Sequence, residues 1–106
     1  MGLMVKKLSY KTFVDIYSKV PRLAVDVLIK TEEGILLTKR GIPPAEGYWY
    51  IPGGTVLMDE TVDGAVRRVA KEELGVEVTV VKLIDVIDWF KTKFSIGHPI
   101  SLLYLV

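Results

Sequence analysis

The chain has 106 residues and no cysteine, with 14 Lys and Arg against 13 Asp and Glu. A net charge of +1 supplies no global field for nucleic acid or an anionic membrane, and the missing thiols exclude disulfides, thiolate metal sites and cysteine nucleophiles. Half the residues are apolar and a quarter charged, the balance of an ordinary globular protein, and the length suits one domain over residues 1–106.

The opening MGLMVKK lacks the apolar stretch of a signal peptide, and Lys6 stands where a myristoylation motif needs Ser or Thr. The apolar runs Val78–Val81 and Leu102–Val106 are too short to cross a bilayer. A cytoplasmic protein is expected, with neither membrane nor nucleic acid as partner.

In chain order, Phe13, Ile16, Tyr17 and Val20 recur at helical spacing, which predicts a short amphipathic helix capped by Ser9 and stopped by Pro21. Leu23–Lys30 and Ile35–Lys39, separated by a turn-like Thr-Glu-Glu-Gly, read as a two-stranded hairpin. Gly41–Gly47, with two prolines between its glycines, reads as a loop. Tyr48, Trp49 and Tyr50 follow, either as a ligand wall or as an apolar plug beneath that loop. A longer helix is predicted from Glu60 to Leu74, with Val62, Ala65, Val66, Val69 and Ala70 on one face and Gly75 at its end. Val76–Asp85 reads as a strand continued after a bend by Val86–Phe90, and Pro99–Val106 as another strand. The order implies an α/β or α+β sandwich.

The chemistry concentrates in GGTVLMDETVDGAVRRVAKEELGVEV, residues 53–78. Gly53 and Gly54 let the backbone approach a ligand closely. Glu72 and Glu73 close the following helix, and a glycine carbonyl with two glutamates would form part of the oxygen shell that Mg²⁺ requires, leaving water and phosphate to complete it. Arg68 lies one turn before Glu72 and would hold it oriented and ionised, while Glu60 falls at the helix start, where a carboxylate meets unpaired amides. Singly, each feature is an ordinary surface pair or cap.

Their joint spacing resembles the Nudix box, G-x5-E-x7-R-E-u-x-E-E-x-G-u with u apolar: Gly54, Glu60, Arg68, Glu72, Glu73, Gly75 and Val76 fall in register. The resemblance implies the Nudix fold, a mixed β-sheet sandwiched between helices, with Gly54, Glu60 and Gly75 as structural members of the box. It also implies a site in which Gly53, Glu72 and Glu73 hold Mg²⁺, or Mn²⁺ in its place. One position departs: the glutamate that follows the arginine is Val69, which can neither bind metal nor activate water.

Outside the box, VPRLAVDVLI, LLTKR and PPAEGYWYIPGG resemble phrases of the GDP-mannose mannosyl hydrolases, a Nudix branch with an apolar residue after the box arginine. That branch cleaves at the sugar's anomeric carbon and releases the nucleoside diphosphate. Carried over by position, Asp26 would contact the sugar, Arg40 the diphosphate, and His98, which precedes a strand, would take a proton from water, while Tyr48 and Trp49, read above as a ligand wall, are the other candidate substrate contacts. Asp26 in an apolar run could also mark an exposed strand face, and a lone loop histidine is usually inert. Thr55 stands where those hydrolases have an arginine, and Glu72 restores a carboxylate they can lack. Dimers are frequent in the branch, so a homodimer is expected. The domain looks C-terminally short for the family.

Three functions compete: a Mg²⁺-dependent nucleotide-sugar hydrolase acting on a substrate such as GDP-mannose, a nucleoside diphosphate-X pyrophosphatase with Glu72 or Glu73 as base, and a non-catalytic binding module. Val69 weighs against the second and the retained Arg68, Glu72 and Glu73 against the third.

Overall fold

The computed structural model describes residues 6–39, 47–93 and 95–106. Helix α1 (Tyr10–Tyr17) begins where Ser9 Oγ accepts from the Thr12 amide at 3.3 Å. It closes a turn earlier than the apolar spacing implies, because the Lys19 amide turns to the Ile16 carbonyl at 3.1 Å, an i→i−3 bond that ends the α-helical ladder.

Strands β1 (Arg22–Leu28), β6 (Gly53–Thr55), β7 (Lys82–Asp88) and β8 (Pro99–Leu105) form a mixed sheet in the order β6-β1-β8-β7. The β1–β8 pair is parallel and the two outer pairs are antiparallel. Strand neighbours on both sides and α2 on one face leave β1 the most buried strand, with Ala24, Val25 and Val27 inside.

Helix α2 (Val62–Leu74) packs on β1 and β6. Its Ala65, Val66, Val69 and Ala70 meet Val25 and Val27 in the core, as the apolar stripe of a 3.6-residue period requires. Gly75 caps it in the left-handed conformation, φ 68°, which a side chain would disfavour.

Four expectations are corrected. The predicted hairpin is shorter than its apolar runs: β2 (Lys30–Thr31) pairs with β3 (Gly34–Ile35), but Thr38–Lys39, β4, turns instead to β5 (Trp49–Tyr50). The two glycines, read for their close approach to a ligand and not as a strand, form β6 with Thr55. Helix α2 starts at Val62 because Thr61 Oγ1 accepts from the Gly64 amide at 2.9 Å, so Glu60 stands before the cap rather than in the first turn. Finally, residues 76–81 form no strand. The antiparallel register to β8 sets β7 at 82–88, with a bulge between Leu83 and Asp85, while Val78 and Val80 pack on the core. Of the predicted loop 41–47, residues 41–46 lie outside the described residues. No helix among the described residues is long and apolar enough to cross a membrane.

Candidate active site

The β1–β6 ladder decides which way the glycine pair points. Val27 N donates to Pro52 O at 2.8 Å and Val56 N to Leu23 O at 3.0 Å, so in antiparallel alternation the carbonyls of Gly53 and Thr55 face the free outer edge of β6. The Thr55 carbonyl is met there by Arg68 Nη2 at 2.7 Å. Beyond this edge lies a cleft of about 520 Å³ lined by Gly53, Gly54, Arg68, Glu72 and Glu73, with an apolar wall of Phe13, Ile16 and Tyr17 from α1 opposite.

Arg68 ties the cleft together. Its Nε donates to Glu60 Oε2 at 2.7 Å, its Nη2 to Glu60 Oε1 at 3.1 Å, and its Nη1 to Glu72 Oε1 at 2.6 Å. One guanidinium thus joins β6, the turn before α2 and the last turns of α2, a fork a lysine could not reproduce. Burial pushes the Glu60 carboxyl upward, but hydrogen bonds from Arg68 and the Leu57 amide, with the Arg68 charge, outweigh it and hold Glu60 below the ordinary value. The same bonds, led by that to Glu60, raise Arg68. Glu72 is also lowered, first by a hydrogen bond from Lys7, whose Nζ lies 2.8 Å from Oε2, then by Arg68.

The donor set suits a hard divalent cation. Among the described residues no three His, Asp or Glu side chains converge as a complete cage. Two carboxylates and an edge carbonyl facing one cleft are what Mg²⁺ takes when phosphate oxygens and water supply the remainder. Gly53, Glu72 and Glu73 would hold it.

A family model for the NUDIX domain matches residues 20–105. The chain belongs to the Nudix family. It is 45% identical over 75 residues to the low-salt glycan biosynthesis protein Agl8 of Haloferax volcanii, covering 71% of this chain and 48% of that protein. It is 38% identical over 86 residues to an ADP-ribose pyrophosphatase of Methanocaldococcus jannaschii, covering 81% and 50%. The chain thus spans about half the length of these curated relatives. Among solved structures, a MutT NUDIX hydrolase from Burkholderia pseudomallei superposes with a TM-score of 0.75 at 34% identity, covering 83% of this chain and 67% of that one.

Against the rest of the Nudix box, Val69 is a core residue. It is 2% exposed, and a Cβ on Gly54 would stand 3.0 Å from its Cγ2, so the position that carries a glutamate in the box pattern here packs beneath the glycine pair. Asp26 is paired in register with Gly53, and a Cβ on Gly53 would collide with its Oδ1. Burial pushes this carboxyl up to about 6, against the pull of a hydrogen bond from Ser101 and the Arg22 charge.

The structure does not bring His98 into the cleft with Glu72 and Glu73: its Nε2 lies 2.5 Å from Asp88 Oδ1, and its ring tilts against Phe90. Tyr48 and Trp49 are exposed and also outside the cleft, with Lys39 Nζ 5.9 Å from the Trp49 ring centre. Arg40 lies outside the described residues. Sequence reading missed Lys7, and it missed Arg22, which donates to Thr55 Oγ1 at 2.7 Å and sits over the Phe13 ring. It also missed Ser101, although a lone serine in the apolar stretch PISLLYL was a readable signal.

Proposed function

We propose that this Nudix domain hydrolyses a nucleoside diphosphate linked to a sugar, with Mg²⁺ or Mn²⁺ held by Gly53, Glu72 and Glu73. The observation that carries the reading is the edge carbonyl of Gly53 facing the same cleft as both glutamates, while Val69, at the floor of that cleft and 2% exposed, offers no ligating or basic atom. When bound, the cation offsets charge on the diphosphate. Arg68 keeps Glu72 ionised and aligned. Asp26 does not itself line the cleft, but its carboxylate lies against Gly53, and from there it would accept a proton from water attacking the substrate beyond the diphosphate. His98, held by Asp88, has no part in this chemistry. The glycan-biosynthesis relative supports a sugar-bearing substrate.

A second reading, attack at phosphorus, is favoured by Glu73, which is exposed in the cleft while Glu72 is engaged by Lys7 and Arg68, and by the ADP-ribose pyrophosphatase relative. Incubation with Mg²⁺ and a panel of nucleotide sugars and ADP-ribose, followed by phosphorus NMR, separates the two. Free sugar with nucleoside diphosphate is expected; nucleoside monophosphate with sugar phosphate would establish the second reading, and no turnover would remove both.

A further inference from the structure

One line of polar groups runs across β6, β1 and β8 on the face away from α2 and ends at Trp89, just past β7. It starts at Gly53 on β6, whose backbone lies against the Asp26 carboxylate on β1. The hydroxyl of Ser101 on β8 is on the same face, two residues along the register because Ser101 pairs with Ala24, and it pulls the Asp26 carboxyl down against the effect of burial. Ser101 Oγ in turn accepts from the indole Nε1 of Trp89, just past β7, at 2.9 Å.

The direction of this chain is set by chemistry. An indole nitrogen can only donate, so Ser101 must accept from Trp89, and the one proton of its hydroxyl is left for Asp26. Ser101 is 4% exposed, which keeps water from competing for either bond. Trp89 is itself anchored, its amide donating to the Pro99 carbonyl at 3.1 Å, so the indole is fixed to the strand that carries Ser101. A buried serine in the middle of an apolar strand would otherwise be an unneeded cost.

We propose that Ser101 and Trp89 are positioning residues for the reaction: the indole orients the serine hydroxyl, and the hydroxyl holds the Asp26 carboxylate in one rotamer against Gly53, beside the candidate metal site. This rests on the reading of the site given above. Neither residue touches substrate. Both act through Asp26, as outer hydrogen bonds do when they fix a working carboxylate.

The test uses the whole chain with Mg²⁺ and the panel substrate that wild type turns over best. Ser101→Ala is expected to lower kcat about tenfold with KM nearly unchanged, Trp89→Phe to lower it less, and Ser101→Thr to restore most of the rate. In an Asp26→Asn background, Ser101→Ala should add almost nothing, because its effect passes through the carboxylate. A readout independent of turnover is the Trp89 indole N–H resonance, assigned by its loss in Trp89→Phe; it should move in Ser101→Ala and, less, in Asp26→Asn. Losses that multiply in the double variant, or an indole resonance indifferent to Ser101→Ala, would overturn the proposal. A responsive resonance in a protein that hydrolyses no panel member would instead overturn the reading of the site and withdraw the positioning role with it.

Discussion

Arg68→Met is the substitution whose cost the structure specifies best. The Arg68 side chain is 19% exposed and that of Glu60 only 5%, whereas Glu72 is 39% exposed. The Glu72 bond is therefore worth little, roughly 0.5 kcal/mol, as a solvated i,i+4 pair. Glu60 dominates, because without the guanidinium its carboxylate stays buried with the Leu57 amide as its remaining hydrogen-bond donor, and stranding a buried charge costs about 3 kcal/mol. Replacing Glu60 as well, in Arg68→Met/Glu60→Gln, removes that charge and should return about half of the loss. Acid sensitivity should change in step. Glu60 and Glu72 are held below their ordinary value of 4.5, so they contribute stability above that pH and lose it as the pH falls through their lowered folded values. Urea unfolding at neutral pH and at about pH 4 should show wild type losing stability with acid and Arg68→Met losing less. A neutral-pH cost under about 1 kcal/mol, or a double variant no better than the single, would refute the argument that Glu60 is the buried partner.

Asp26 gives the opposite sign. Its carboxyl is raised from 3.8 to about 6, so the folded state binds the extra proton in that interval, and its contribution is fully present below the unfolded value and lost as the pH rises through the folded one. Between about pH 5 and about pH 8 wild type should lose about 1.4 kcal/mol relative to Asp26→Asn, and parallel curves in urea would show that Asp26 is solvated. Lys7 Nζ occupies the Glu72 oxygen that a cation would use, so Lys7→Ala should tighten Mn²⁺ binding by about threefold through loss of this competing charge, read as free Mn²⁺ by electron paramagnetic resonance; an unchanged affinity would show no competition. Gly53→Ala would drive a Cβ into Asp26 Oδ1 and to 3.0 Å from the Val25 carbonyl, an overpacking cost of about 1–3 kcal/mol. A neutral thermal shift would mean that β6 moves freely.

Much of the architecture follows from local pattern. The stripe of Ala65, Val66, Val69 and Ala70 required a helix with one buried face, Gly75 required its end, and the spacing of Arg68 to Glu72 placed both on one side of it. Those features depend on neighbours within a turn or two, and such neighbours are adjacent in sequence. The ladder was less legible. Gly53–Thr55 has no β-branched run to announce a strand and becomes one only because β1 offers it a free edge, and β7 lies at 82–88 because β8 sets its register.

What residue order alone determined was the inventory: an acidic helix end, an arginine one turn before it, a glycine pair ahead of it, and a valine where a glutamate is customary. What tertiary structure decided was who meets whom. It sent Glu60 to Arg68 instead of to helix amides, His98 to Asp88 instead of to the cleft, and Ser101 and Trp89 to Asp26 across three strands. Those partnerships depend on sheet order and pairing register, which arise from distant segments competing to bury the same apolar face, and no stretch of sequence carries that outcome by itself.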